Sequence, residues 1–300
     1  MEATYLNQLL FRGVGATINH AGKLGRGIFA TRNYPKGSVL QTSTPMASWL
    51  SPKSNVRLDR NCNHCFRPNT LGPCDACVDN ADTMSNMKTF HKSLKAFFKE
   101  EPPSYILEPL LYKLAYRSCL ERLEDYDNTN FILNYLAAPD TTEENKEHLK
   151  DDHEQLQEFL IGVGCDTTIV ETLDLNWFCR TLGVLYLHHI ESPIGSPTKG
   201  LAFYDSLGLF NHSCAPNVMF MMGSSALSLE VAVVATRDIS EHDELFVDYS
   251  TLRSRANQQI ALQTAAEGKD SKEAMQQFLR ETFCFDCTNT CSCGQFASTS

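Results

Sequence analysis

Three clusters in this 300-residue chain combine side chains that can do chemistry at spacings that let them act together. The first is Asn211-His212-Ser213-Cys214-Ala215-Pro216-Asn217, which gathers amide, imidazole, hydroxyl and thiol groups directly after the apolar run Leu207-Gly208-Leu209-Phe210. The second, Glu244-Leu245-Phe246-Val247-Asp248-Tyr249, reads as a short strand ending in a tyrosine whose hydroxyl can orient a reactant. The third is cysteine. Of 12 Cys, Cys62, Cys65, Cys74 and Cys77 form one group, and Cys284, Cys287, Cys291 and Cys293 another. Two Cys-x2-Cys pairs at the first spacing can close a tetrahedral zinc site, each pair gripping one side of the ion. Four sulfurs fill its coordination shell, so that zinc is structural.

The elements that must position these clusters are β near the ends and helical in the middle. Residues 1–12 suit a short helix. Gly22-Lys23-Leu24-Gly25-Arg26-Gly27-Ile28 follows, where glycine allows either a tight turn into a strand or a close backbone approach to a ligand. Strands are expected at Ile28 to Thr31 and Ser38 to Thr42, joined as a hairpin by the turn formers Asn33-Tyr34-Pro35-Lys36-Gly37. That layout has an echo: Ala235-Thr236-Arg237-Asp238-Ile239 followed by Glu244-Leu245-Phe246 matches Ala30-Thr31-Arg32-Asn33-Tyr34 followed by Ser38-Val39-Leu40. Alternating β-branched residues from Leu227 to Val234 feed the second unit. One sheet-rich domain split by a long insertion is the simplest picture.

From about residue 86 to 190 the periodicity is helical. Ser104 is a candidate N-cap before Leu107, Leu110 and Leu114, and Asp174 before Phe178, Leu182, Leu185 and His189. The acidic stretch 140–158 reads as a solvated face. His188 and His189, on an otherwise apolar helix, read as packing residues rather than metal ligands. Ser192-Pro193-Ile194-Gly195-Ser196-Pro197 ends the helix.

Composition bounds the function. A hydrophobic content of 42% supports a sizeable core. A formal net charge of -10 argues against nucleic acid as the main ligand and favours basic protein segments. The start Met1-Glu2-Ala3-Thr4 carries no leader pattern, and no apolar run approaches membrane-spanning length. A reducing compartment, nucleus or cytoplasm, is expected, and there clustered cysteines bind metal rather than form disulfides. Asn211-His212-Ser213 is formally a glycosylation sequon, which that compartment makes irrelevant.

Gly200-Leu201-Ala202-Phe203-Tyr204-Asp205-Ser206-Leu207, running into the Asn-His-Ser-Cys motif at 211–214 and then the Asp248-Tyr249 pair, resembles the core of a SET domain, the protein-lysine methyltransferase fold. The cysteine pairs at 62–77, interrupting it after the first β unit, narrow the resemblance to the SET-and-MYND family. It covers roughly residues 11–80 and 175–293. The implied fold class is α+β, a β-rich SET domain split by a zinc-binding loop and a helical insertion, with a cysteine-rich post-SET segment. The implied segments are SET halves at 11–50 and 199–252, a MYND-like zinc insertion at 51–85, a helical insertion at 86–198, and a helical linker with post-SET segment at 253–300.

The resemblance implies a role for each matching position. Gly25, Arg26 and Gly27 would line S-adenosylmethionine near its methionine end. Asn211 and His212 would hold its adenosine part, Phe285 would stack on its adenine, and Tyr249 would be the active-site tyrosine. Cys214 would join Cys287, Cys291 and Cys293 around a second zinc, making two ions with that of Cys62, Cys65, Cys74 and Cys77. The implied activity is methyl transfer to a lysine of a histone tail or another protein by a monomer, without nucleic acid or membrane. The alternative is a catalytically weak SET protein serving as a zinc-stabilised interaction module.

Three departures stand out. After Cys77 no cysteine follows until Cys119 and His91 is the only nearby histidine, so the finger holds one zinc rather than the family's two. The post-SET spacing is Cys287-x3-Cys291-x-Cys293, with Cys284 the non-ligand. The family's further cofactor-contacting asparagine has no counterpart at 186–195. Chemically, methyl transfer to an amine is an in-line displacement governed by positioning. An aromatic channel also disfavours the ammonium form of the lysine. A tyrosine with the ordinary pKa of about 10 orients rather than abstracts a proton.

Overall fold

In the computed structural model the described residues are 2–11, 13–22, 25–50, 81–192, 200–222, 229–253, 271–285 and 287. The fold is α+β. It divides into two compact units, one drawn from residues 1–44, 190–193 and 204–300, the other from 45–189 and 194–203.

In the first unit, helix α1 (Glu2–Leu10) precedes strands β1 (Ala16–His20), β2 (Arg26–Ala30) and β3 (Val39–Ser43). Asn7 of α1 ties the helix to β1: its Oδ1 accepts the Ile18 N–H at 2.7 Å. Strands β5 (Ile190–Ser192), β7 (Asn211–His212), β8 (Val218–Met222), β9 (Val231–Ala235) and β10 (Glu244–Val247) follow in the same unit. Strands β1 to β3 and β7 to β10 build a four-stranded sheet in the order β1-β2-β10-β7 and a three-stranded sheet in the order β3-β9-β8. On β9 burial alternates as the period-2 pattern requires, with Val231, Val233 and Ala235 inside.

The echo in the sequence is a structural repeat, but not a pair of hairpins. Strands β2 and β3 lie in different sheets, as do β9 and β10. Each strand of one copy instead pairs with a strand of the other: β2 with β10, antiparallel, through Phe29 and Glu244, and β3 with β9 through Val39 and Val234. Tyr34 and Ile239 bridge midway. Equivalent groups make equivalent bonds. Gly37 N–H donates to Ala235 O and His242 N–H to Ala30 O, at 2.9 and 2.8 Å. Asn33 Oδ1 accepts the Glu241 N–H and Asp238 Oδ1 the Lys36 N–H, both at 2.8 Å. The turn residues therefore carry the chain around a corner from one sheet to the next, and local turn signals cannot distinguish that corner from a hairpin.

The second unit contains β4 (Ala47–Leu50) and β6 (Gly200–Phe203), paired antiparallel. Its helices are α2 (Ala81–Glu100), α3 (Glu108–Leu123), α4 (Asn128–Tyr135), α5 (Glu143–His148), α6 (Lys150–Gly162), α7 (Thr167–Glu171) and α8 (Leu175–His188). Helix α3 is its axis, with Leu110, Leu111, Tyr112, Leu114 and Ala115 fully buried. Asp174 caps α8 as expected, accepting the Trp177 N–H at 2.8 Å. Ser104 does not cap α3. The helix starts later, with Leu107 in the cap position and no side-chain cap bond, and the Glu108 carboxylate reaches back to accept the Ser104 backbone N–H at 2.7 Å. His188 and His189 bond the carbonyls of Ala137 and Leu185, consistent with packing roles. The acidic stretch is largely exposed, with Glu143, Glu144, Glu147, Asp151 and Glu154 facing solvent. No helix among the described residues is long and apolar enough to cross a membrane.

Candidate functional site

The segment 211–217 is stitched to β10 along its length. Asn211 and His212 pair parallel with Phe246 and Val247, and the Ser213 N–H donates to Val247 O at 3.0 Å. Asn217 finishes the job with its side chain. Its Oδ1 accepts the Phe246 N–H at 2.7 Å and its Nδ2 donates to Glu244 O at 2.8 Å, so a buried amide completes the ladder where the backbone turns away. The residues before Tyr249 thus have no freedom to slide.

The two glycines of Gly25-Arg26-Gly27 serve different ends. Gly25 sits at φ +81 with open space where a Cβ would lie, a backbone conformation that L side chains resist. Gly27 is required by packing. A Cβ there would strike Glu244 Oε1 and come within 2.9 Å of Asn211 Nδ2. Those two side chains close over the strand: Asn211 Nδ2 donates to Arg26 O at 2.8 Å and to Glu244 Oε1 at 2.7 Å. Burial pushes the Glu244 carboxyl above its ordinary range, and the Asn211 bond partly opposes that.

Next to this lies an aromatic group. The His212 and Tyr249 rings are 5.2 Å apart, and Phe285 meets His212 edge-on at 5.7 Å. Phe283, from the last turn of helix α9 (Ser271–Phe283), lies nearer the tyrosine than Phe285 does, at 4.8 Å against 6.2 Å. The Arg253 guanidinium covers the Phe283 ring at 4.8 Å. The Tyr249 hydroxyl donates to Phe210 O at 2.9 Å. Desolvation, with a smaller contribution from the Glu244 charge, pushes its pKa well above the ordinary tyrosine value. The expected unperturbed phenol is corrected accordingly. The group holds the proton it gives to Phe210 O more firmly, which leaves its oxygen as an acceptor that can orient a neighbouring N–H and makes it a poor base.

His212 is bonded on both sides of its ring. Nδ1 accepts the Tyr249 backbone N–H at 3.1 Å, which leaves the hydrogen of the neutral ring on Nε2. Nε2 lies 3.2 Å from Cys214 Sγ. Burial lowers the imidazole pKa, opposed by the Asp248 carboxylate 3.9 Å away. Cys214 Sγ in turn lies 3.6 Å from Cys287 Sγ. A disulfide needs about 2.05 Å, whereas two thiolates about 2.3 Å from a tetrahedral zinc sit about 3.8 Å apart. The donor set fits zinc. Cys214 and Cys287 offer the sulfurs, and the His212 ring nitrogen lies within 4.8 Å of both, where its hydrogen makes it a support for the Cys214 sulfur and not a ligand.

The structure thus brings together Gly25, Arg26, Gly27, Asn211, His212, Tyr249, Phe285, Cys214 and Cys287 on neighbouring strands and the segment after α9. Cys62, Cys65, Cys74, Cys77, Cys291 and Cys293 lie outside the described residues. Cys284, set aside on sequence grounds, is exposed with φ +52. Sequence reasoning missed Glu244, Asn217 and Phe283 as parts of the site, and the sulfur contact of His212. That last was readable: on an extended chain His212 and Cys214, two apart, share a face.

Residues 25–250 match the SET domain family, and the chain belongs to that family. It is similar to the histone-lysine N-methyltransferase ASHR1 of Arabidopsis thaliana, with 21% identity over 289 residues covering 91% of this chain and 55% of ASHR1. The chain therefore spans about half the length of this curated relative. Solved structures similar to it include Rubisco LSMT bound to AdoMet (TM-score 0.44, 13% identity, 85% of this chain and 54% of that one). The SET domain of LSMT bound to lysine and AdoHcy is another (TM-score 0.38, 13% identity, 84% and 54%).

Proposed function

We propose that the chain is a protein-lysine N-methyltransferase using S-adenosylmethionine, acting on a histone or another basic protein. The observation that carries this reading is that strand pairing brings Gly25-Arg26-Gly27, Asn211-His212 and the approach to Tyr249 side by side in a SET fold. The similarity to ASHR1, a protein named as a histone-lysine N-methyltransferase, supports the same class. A net charge of -10 favours encounter with basic segments.

When bound, the cofactor would supply an electrophilic methyl on sulfur; the chain's own residues position and desolvate. Gly25, Arg26 and Gly27 would hold the methionine end, and Asn211, expected at the adenosine part, is assigned to that end instead because its amide bonds Arg26 O and Glu244 Oε1; Phe285 would offer the adenine an aromatic face. Tyr249, with its hydroxyl held by Phe210 O, walls the transfer path and orients the incoming amine. A buried aromatic wall favours the neutral amine by desolvation. Cys214 and Cys287, with Cys291 and Cys293, hold a zinc that pins the segment carrying Phe283 and Phe285. The His212 Nε2–H donates to the Cys214 thiolate, an outer support of the kind that orients metal ligands. We further propose the SET-and-MYND type, with a separate structural zinc at Cys62, Cys65, Cys74 and Cys77, and the segment division 11–50, 51–85, 86–198, 199–252 and 253–300. The working protein is a monomer of the nucleus or cytoplasm.

Calorimetry of zinc-loaded protein with S-adenosylmethionine tests the reading. Binding is expected, and it should weaken in Cys214→Ser although that residue makes no cofactor contact. Absence of binding by the wild-type protein would refute the enzyme reading. Unchanged binding in Cys214→Ser would refute the zinc link.

A further inference from the structure

Asn211 can be oriented without ambiguity, because both hydrogens of its amide point at acceptors, the Arg26 carbonyl at 2.8 Å and Glu244 Oε1 at 2.7 Å. A flipped amide would set its oxygen against both. The Nδ2 donors are therefore consumed, and what Asn211 has left for a ligand is the acceptor Oδ1. Glu244 adds a charge. It forms no ion pair within 4.0 Å among the described residues, and both it and Asn211 keep part of their surface exposed. Gly27 is what lets this pair lie against the strand at all. A half-buried carboxylate and a fixed carbonyl oxygen, side by side with no donor facing outward, match a ligand that is a cation and a multiple hydrogen-bond donor.

Resting on the methyltransferase reading above, we propose that Glu244 is a positioning and charge-determining residue: it locks the Asn211 amide with its oxygen outward and supplies the counter-charge for the primary ammonium at the amino-acid end of the cofactor. Neither carboxylate oxygen reacts, and no proton moves. The upward shift of the Glu244 pKa fits an anion still lacking its cation.

Two variants separate the parts of the role. Glu244→Gln keeps an acceptor for the Asn211 amide and removes only the charge; Glu244→Ala removes both. The probes are S-adenosylhomocysteine, which has the ammonium but no sulfonium, and 5′-methylthioadenosine, which has neither, measured by calorimetry on zinc-loaded protein. Glu244→Gln should weaken S-adenosylhomocysteine by about tenfold and Glu244→Ala by about a hundredfold, the range of a charge-assisted hydrogen bond. Binding of 5′-methylthioadenosine should change in neither. Equal weakening of both probes would make Glu244 a fold support and overturn the proposal, as would no change for either. A raised KM for a lysine peptide with S-adenosylhomocysteine affinity intact would assign the charge to the substrate and also overturn it. If wild-type protein bound neither probe nor S-adenosylmethionine, the methyltransferase reading itself would fail, an outcome distinct from all of these.

Discussion

The two copies of the repeated β corner, residues 30–38 and 235–243, make the same backbone bonds with different side chains. Around the central Tyr34 and Ile239 bridge, Gly37 corresponds to His242, Asn33 to Asp238 and Lys36 to Glu241. Gly37 takes φ +85 and His242 φ +75. The first copy meets the left-handed position with the residue suited to it, and the second holds the same conformation with a histidine at a steric cost. Where the copies differ inside, Tyr34 buries a hydroxyl with no partner among the described residues, and Ile239 buries none. The backbone geometry of the corner, then, does not depend on any one of these side chains. It depends on each copy supplying the edge the other needs, and the same cross-pairing brings β2, with Gly27, beside β10, with Glu244 and the approach to Tyr249.

That comparison can be broken or sharpened by substitution, read as changes in unfolding free energy from denaturant titration. The largest effect is expected from Asn217→Ala, which has no counterpart in the first copy. It strips partners from the Phe246 N–H and the Glu244 carbonyl and should cost about 2–4 kcal/mol. Loss below about 1 kcal/mol would mean that β10 holds its place without the clamp. Next, Gly37→Ala should destabilise by about 1 kcal/mol while His242→Gly stabilises by up to about 1 kcal/mol. Effects of the same sign at both positions would end the equivalence of the copies. Asn33→Ala and Asp238→Ala should each cost about 0.5–1 kcal/mol and match each other, because each removes one exposed cap to the opposite copy. The smallest effect belongs to Tyr34→Phe. Deleting an unpartnered buried hydroxyl should leave stability unchanged or raise it by about 0.5 kcal/mol, and a clear loss would point to a bond the structure does not contain.

How much of this was legible depended on whether the controlling contact was local. The repeat was readable because turn chemistry at Asn33-Tyr34-Pro35-Lys36-Gly37 is written in adjacent residues; its pairing was not, because alternation says a strand exists without saying which strand lies beside it. The Asp174 cap was readable from one residue and the helix after it. Ser104 failed as a cap because the helix begins three residues later than the apolar spacing suggested, after Leu107, and propensity does not fix a boundary to that precision. Within the site, Asn211, His212, Cys214 and Tyr249 stood out as a motif. Glu244 did not, since its importance comes from Gly27 and Asn211, and no spacing rule connects residues 27, 211 and 244. Phe283 was hidden for the same reason: its partner Tyr249 is brought near by the path of helix α9.

The central claim is that these cross-paired strands carry a lysine methyltransferase site with Tyr249 as its orienting residue. Transfer of labelled methyl from S-adenosylmethionine to histones by the zinc-loaded protein, followed from pH 7 to 10, tests it most directly. The expected result is label on lysine, a rate that climbs with pH as the amine loses its proton, and no decline through pH 10, because the raised Tyr249 pKa keeps that proton in place. Tyr249→Phe should lower the rate about a hundredfold. Label transferred equally well by Tyr249→Phe, or a rate that breaks downward near pH 9, would contradict the account.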